Sequence, residues 1–486
     1  MKEAGILLHI SSLPGKYGVG TLGKCAYDFV DYLAKAGQKI WQILPLNPTT
    51  YGDCPYSSPS AFAYNPYFID MDILANEGLI NKEDLPKPFS VYKIDFGRIY
   101  NDVFNLLHKA YLNKELVIDE FTKYKEENSY WINEYALYEV LKKEHDGKPW
   151  YEWYDDFKYR NREAIRWANE EFKDKIDEIK FYQYLFYSQF IKLKKYANKK
   201  GIRIMGDMPI YTSYDSADVW SGTNNYQLND DLTPKGVAGC PPDAFSADGQ
   251  LWGNPLYDWD YLKDTKYKWW VMRVNHQFKL LDILRIDHFR GFEAYYSIPF
   301  GAPNARDGHW EEGPGYDLFK VINKAIGDKE IVAENLGFLT PGVHKLLRKC
   351  GYPGMNIFQF ELGDGKHVPL LKKYPENNLF YTGTHDNEML MTFYNKLNED
   401  YRKIIDKACG ITFNDKPNLK MIEYSMMTDC KYVIIPLQDY LGLGNEEGRM
   451  NIPSVALGNW NYISKKIDFS KEMCEYIKNI TVKSGR

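Results

Sequence analysis

The feature that most constrains the fold is a recurrence of short apolar, β-branched runs with helical stretches between them. Eight such runs fall at 5–10, 39–46, 202–210, 283–289, 331–335, 355–360, 379–385 and 432–437. Strands alternating with helices build parallel βαβ units, and eight of them close a barrel. Ile204-Met205 and Val433-Ile434-Ile435 are apolar on both faces, as a parallel strand covered on both sides requires. The expected class is α/β: a (β/α)8 TIM barrel with subdomains inserted in the barrel loops.

The runs are unevenly spaced. About 150 residues separate the second from the third, far more than one crossover helix needs. Much of that stretch is charged and helical, and Tyr182, Leu185, Phe186, Leu193 and Ala197 share one face at helical spacing. The expectation is a catalytic barrel from 1–50 and 201–486, with 51–200 a mainly helical insertion after the second strand. No Ser/Gly linker, low-complexity tract or internal repeat marks a tethered domain. Insertions on that side of a barrel wall the active site.

Charge argues against two classes of partner. Lys plus Arg number 61 and Asp plus Glu 66, a net charge of -5 over 486 residues. That balance gives no electrostatic reason to expect nucleic acid or an anionic membrane. No stretch approaches the roughly 18–20 apolar residues that span a bilayer. The apolar run at 4–10 follows Glu3, is interrupted by His9 and lacks a small-residue cleavage site, so it reads as a first strand. Seven scattered cysteines without a C-x-x-C pair fit neither a disulfide framework nor a zinc site, and a cytoplasmic location is expected.

Three carboxylates end three of the runs. Asp287 follows Leu284-Arg285-Ile286, Glu334 follows Ile331-Val332-Ala333, and Asp386 follows Tyr381-Thr382-Gly383-Thr384-His385. One such acid alone is more often a solvated loop residue or a helix cap. Three at the ends of the fourth, fifth and seventh runs converge at the C-terminal mouth, where barrel enzymes keep their sites. Arg285 and Asp287, two apart on a strand, share a face, so the guanidinium should lower the Asp287 pKa and suit it to nucleophilic attack. Near an ionised Asp287 the Glu334 pKa should rise, suiting it to act as an acid. Two carboxylates with divergent pKa values are the machinery of glycoside cleavage.

Further polar and aromatic groups fit a sugar site: Asp207 at the third strand end, Asp243, Trp252, His288, His385, and Tyr51 and Tyr56 after the second strand. The chain holds 40 Tyr, 25 Phe and 12 Trp, and aromatic faces pack on the apolar C–H face of a sugar. A large core is the plainer use of such residues. One motif points elsewhere: Gly18-Val-Gly20-Thr-Leu-Gly23 matches G-x-G-x-x-G before a helix. A dinucleotide site needs those glycines immediately after the strand and an acid ending the next one. Here 11–17 intervene, and the second run ends in Leu44-Pro-Leu-Asn47. A turn into the first barrel helix is the better reading.

Arg285-Ile-Asp-His-Phe-Arg-Gly291, Ala333-Glu-Asn-Leu-Gly337 and Gly383-Thr-His-Asp-Asn387 resemble the three signature segments of amylomaltases, the 4-α-glucanotransferases also called disproportionating enzymes, of the α-amylase-like glycoside hydrolase clan. Ser12-Leu-Pro-Gly15, Trp41-Gln-Ile-Leu-Pro45, Asp215-Ser-Ala-Asp-Val-Trp220 and Gly458-Asn-Trp460 extend the resemblance nearly end to end. It implies a retaining double displacement on α-1,4-glucans, with Asp287 as nucleophile, Glu334 as general acid/base and Asp386 as transition-state stabiliser. It also implies that Arg285, His288 and His385 hold the reacting sugar, that Tyr56, Asp207, Asp243 and Trp252 belong to other subsites, and that Tyr51 serves a remote glucan site. The implied substrates are malto-oligosaccharides and starch- or glycogen-derived glucans; no cofactor and no metal are expected. Cys54, Asn335 and Ser454 depart from the family's usual serine, aspartate and glycine. The same acids could serve a retaining hydrolase, and a non-catalytic glucan-binding protein would need no acid trio.

Overall fold

A computed structural model describes residues 2–242, 247–337, 339–360 and 374–486. Its twelve strands in chain order are β1 (Glu3–Leu7), β2 (Ile40–Gln42), β3 (Arg203–Met208), β4 (Gly236–Cys240), β5 (Gln250–Pro255), β6 (Ile283–Ile286), β7 (Ala294–Pro299), β8 (His309–Glu312), β9 (Glu330–Ala333), β10 (Gly354–Ile357), β11 (Asn378–Tyr381) and β12 (Tyr432–Pro436). Eight of them form one sheet in the order β10-β11-β12-β1-β2-β3-β6-β9, and every ladder in it is parallel. Each of the eight runs expected from sequence supplies one of these strands.

The two outer strands close the barrel. Ala333 donates its N–H to Pro353 O at 2.9 Å, and Met355 donates to Asn335 Oδ1 at 2.6 Å. A side chain at Gly354 would place Cβ 2.8 Å from Asn335 Oδ1, so the bare glycine permits the approach. Asn335, one of the departures from the family pattern, thus bonds across the seam. All five residues of β12 are buried, as a strand with helices outside and packed side chains inside requires.

Between β2 and β3 the chain forms the helices Phe96–Leu112, Ile118–Glu127, Ser129–Glu144, Arg162–Glu171 and Lys173–Lys199, with shorter turns. The last of these serves two partners. Its Gln183 accepts the Tyr64 N–H at 2.7 Å, while Tyr196 donates to Asp31 at 2.8 Å and Lys194 donates to Leu281 O at 2.9 Å, on the barrel's own periphery.

Sequence reading did not anticipate a second sheet, antiparallel, in the order β5-β4-β7-β8. It grows from the loops after β3 and β6 and carries Trp252 on β5. Asn254 Nδ2 on that strand donates to Thr212 O at 2.8 Å, tying the sheet to the segment that follows β3.

The glycine-rich segment is a turn. Gly20 donates to Ser11 O at 2.9 Å, and a Cβ there would lie 1.9 Å from Ile10 O. A Cβ on Gly23, which precedes helix Lys24–Lys35, would lie 1.9 Å from the Asp70 carboxylate. That acid, which also accepts from Thr21 at 2.6 Å, fills the place a cofactor phosphate would need.

Candidate active site

The observed strands end before the acids, leaving each at the start of a loop. Asp287 follows β6 and keeps one anchor, its N–H to Met208 O at 3.0 Å; Glu334 follows β9 with its N–H to Ile286 O at 2.9 Å. His288 then turns left-handed, at φ 48 and ψ 50, which is strained for a side chain of this size. The turn aims the His288 N–H at Glu334 Oε2, 2.8 Å away. Past β11, Asn387 Oδ1 accepts from both the N–H and the hydroxyl of Thr384, at 2.8 and 2.9 Å. This local bond folds Thr384–Asn387 so that His385 and Asp386 stand at the mouth.

Arg285 organises the centre. Its side chain is 4% exposed, yet it touches three acids: Asp207 through Nη1, Asp287 through the same nitrogen at 3.0 Å, and Glu334 through Nη2 at 3.3 Å. The shared face of Arg285 and Asp287 is as the alternation of a strand requires. Asp207 pairs across the β3–β6 ladder with Arg285 and also accepts from Tyr56 OH at 2.7 Å. Its side chain is fully buried, so it lies behind the cleft wall. Of the expected sugar ligands, Asp207 therefore supports Arg285 and Tyr56 from beneath, because its place on β3 points it into the barrel.

The remaining groups surround a cleft of about 500 Å3 whose walls include Tyr56, Trp252, Asp287, His288, His385 and Asp386. Tyr56 stacks on His385 at 5.0 Å and 20°, and Trp252 meets His288 edge-on at 4.9 Å. His385 Nε2 lies 3.3 Å from Asp386 Oδ2, and Asn451 Nδ2 donates to Asp386 Oδ1 at 2.6 Å. Asn451 has no signal in a reading of the acids: it sits 65 residues away in sequence and reaches Asp386 only through the fold. Cys54 also lines the cleft, its thiol pushed up to about 11 by burial, which keeps it protonated. Asp243 lies outside the described residues, and so does the side chain of Tyr51, whose backbone forms the turn Tyr51–Asp53. Among the described residues no group of three His, Cys, Asp or Glu could hold a metal ion, and no helix is long and apolar enough to cross a membrane.

The protonation order differs from the sequence expectation. Burial and the adjacent Glu334 push Asp287 well above the usual carboxylate range, more than Arg285 lowers it. Burial also raises Glu334, but Arg285, a hydrogen bond from Asp287 and the His288 N–H outweigh it and hold it below its ordinary value. Arg285 reaches both acids, while the extra backbone donor serves Glu334 alone, which favours the ionised form of Glu334 over that of Asp287. Two half-buried carboxyls on one guanidinium titrate as a pair, the first proton lost more easily than the second. Burial raises Asp386 too, but His385 and Asn451 outweigh it and keep that acid ionised.

A parallel eight-stranded barrel with two carboxylates on one arginine at its C-terminal mouth, beside an aromatic cleft, has the architecture of a carbohydrate-active barrel enzyme. The family model described as 4-alpha-glucanotransferase matches residues 8–466. A 4-alpha-glucanotransferase of Clostridium butyricum is 46% identical over 99% of this chain and all of its own length. That of Aquifex aeolicus is 41% identical over 100% of both. Among solved structures, an amylomaltase from Streptococcus agalactiae in complex with acarbose superposes with a TM-score of 0.95, at 37% identity and 100% coverage of each chain. The chain belongs to the 4-alpha-glucanotransferase family, enzymes of the glycosyltransferase type that act on α-1,4-glucans.

Proposed function

We propose that this enzyme cleaves an α-1,4-glucan by retaining double displacement, with Asp287 as nucleophile and Glu334 as acid and then base. The observation that carries the assignment is that one guanidinium, Arg285, holds both carboxylates side by side, Asp287 at 3.0 Å and Glu334 at 3.3 Å. Inverting enzymes separate their carboxyls by about 6.5–9.5 Å to admit water, and retaining ones by about 5–5.5 Å. Two carboxylates held on one guanidinium fall on the retaining side, and the glycosidic oxygen enters at Glu334 while the anomeric carbon faces Asp287. One proton passed along their hydrogen bond converts the arrangement into ionised Asp287 and protonated Glu334, the state that attacks and protonates at once. Asp287 then bonds to the anomeric carbon as Glu334 gives its proton to the leaving glycosidic oxygen; Glu334 next takes the proton of an acceptor's 4-hydroxyl as that oxygen attacks the anomeric carbon and breaks the ester, freeing Asp287.

Asp386, held ionised by its neighbours, binds the hydroxyls of the distorted ring and stabilises its positive charge. His288 and His385 orient the same sugar, Trp252 and Tyr56 pack on its neighbours, and Asp243 and Tyr51 complete a subsite and a remote glucan site. The donors and acceptors are malto-oligosaccharides and starch- or glycogen-derived chains. Seven free cysteines support a reducing, cytoplasmic setting. The test is to incubate the protein with maltotriose alone and resolve the products over time. Glucose with a ladder of maltopentaose and longer chains is the expected result; glucose and maltose with nothing longer would refute transfer.

A further inference from the structure

His385 and Asp386 ride on the loop 383–389, between the end of β11 and the helix Leu390–Lys396. Asn387 fixes the inner fold of that loop, but a folded loop must also be held in place against the barrel. One side chain does this at both ends. Asp439, on the short helix Leu437–Leu441 after β12, accepts the Thr382 hydroxyl through Oδ2 at 2.6 Å and the Leu390 N–H through Oδ1 at 3.0 Å. Asp439 is 1% exposed, and Thr382 and Leu390 are fully buried. Asn418 holds the Asp439 backbone in turn, its Nδ2 donating to Asp439 O at 2.8 Å. Asn445 and Gln359 add bonds at the downstream end, with the Met389 N–H at 2.8 Å and Glu388 O at 2.7 Å.

An acid in this place is more than packing needs. Burial raises the Asp439 carboxyl to about 6, while the Thr382 hydroxyl and the Leu390 N–H pull against that rise. A core position filled for packing alone would carry an apolar side chain; a buried acid is tolerated where its oxygens are used. A carboxylate offers an acceptor on each oxygen, and the Leu390 N–H can only donate. Asparagine would meet that donor and turn its own NH2 on the Thr382 hydroxyl. We infer that Asp439 is a positioning residue for the reaction: by joining Thr382 to Leu390 it sets the span of the loop, and with it the place of Asp386 and His385 at the reacting sugar. This rests on the reading of Asp386 as the acid that stabilises the reacting ring. A misplacement of about 1 Å can cost on the order of a hundredfold in rate, so losing one of two tethers should cost about tenfold.

The experiment is a double-mutant cycle in the full-length protein, reading fluoride release from α-maltosyl fluoride in the parent, Asp439→Asn, Asp386→Asn and the double variant. Asp439→Asn should lower kcat about tenfold with KM changed less than about twofold. In the Asp386→Asn background the same substitution should change the rate less than about twofold, because the acid it positions is already gone. Thr382→Val should repeat the loss from the other side of the bond, and it carries the test if Asp439→Asn does not fold. Thr382→Ser, which keeps the hydroxyl, should recover most of that loss. An equal fall in both backgrounds, or a parental kcat in both Asp439→Asn and Thr382→Val, overturns the clamp. A rate unmoved by Asp386→Asn alone would instead overturn the reading of Asp386 on which the clamp rests.

Discussion

Asp207→Asn changes one charge without changing shape, and its consequence can be worked out. Asp207 and Asp287 bind the same Arg285 nitrogen, so their oxygens lie on the order of 4–5 Å apart. With one proton shared by Asp287 and Glu334, the four groups carry a net charge of about -1; the amide brings this to zero. At that separation and an effective dielectric of about 20, the lost repulsion is about 3–4 kcal/mol, equivalent to roughly two to three pKa units. Relaxation trims this, and a fall of about one to two units is expected. Removing a negative neighbour favours the deprotonated form, so both apparent pKa values of the pair drop. The bell-shaped pH–rate curve on maltotriose should move bodily toward acid, losing activity first on its alkaline side as Glu334 surrenders its proton earlier. The amide oxygen can still accept from Arg285 and Tyr56, so circular dichroism should show an intact fold. A folded Asp207→Asn enzyme whose optimum stays in place, or moves toward alkali, would refute the electrostatic account.

Three further outcomes follow from the contacts described. Asp287→Asn should lower turnover by at least about a thousandfold while thermal unfolding stays near that of the parent, checked by product chromatography and calorimetry. Asn451→Ala removes the 2.6 Å donor to Asp386, whose pKa should rise; kcat should fall about tenfold, with the steepest loss at low pH. Asn335→Ala strips the buried Met355 N–H of its acceptor and should cost about 1–3 kcal/mol, seen as an earlier denaturant midpoint, whereas Asn335→Asp should hold the barrel seam.

The barrel was legible because parallel strands are buried on both faces and therefore read as unbroken apolar runs, as Tyr432–Pro436 does. The antiparallel sheet was not. Gln250–Pro255 and His309–Glu312 are mostly exposed or half-buried, and their residues carry neither an apolar run nor a clean alternation. Strand ends differ from the sequence pattern for a related reason: the run at 283–289 closes on the apolar Phe289, whereas the regular ladder ends at Ile286 and Asp287 keeps only its N–H bond to Met208 O. The three acids could be found from their places at strand ends. Which of them holds the proton could not, since that depends on Arg285 reaching a second carboxylate and on a left-handed His288 turning its N–H toward Glu334. Asp207 shows the same limit: sequence places an acid at the mouth, and only packing reveals that it sits behind Arg285.

The most direct test of the central claim is to trap the glycosyl-enzyme. With Glu334→Gln slowing the second step, a 2-deoxy-2-fluoro or simple α-maltosyl fluoride donor should load the protein covalently, and peptide mass mapping should place the sugar on Asp287. A sugar found on any other side chain, or fluoride release with no covalent adduct at any time, would contradict the double displacement assigned to this pair.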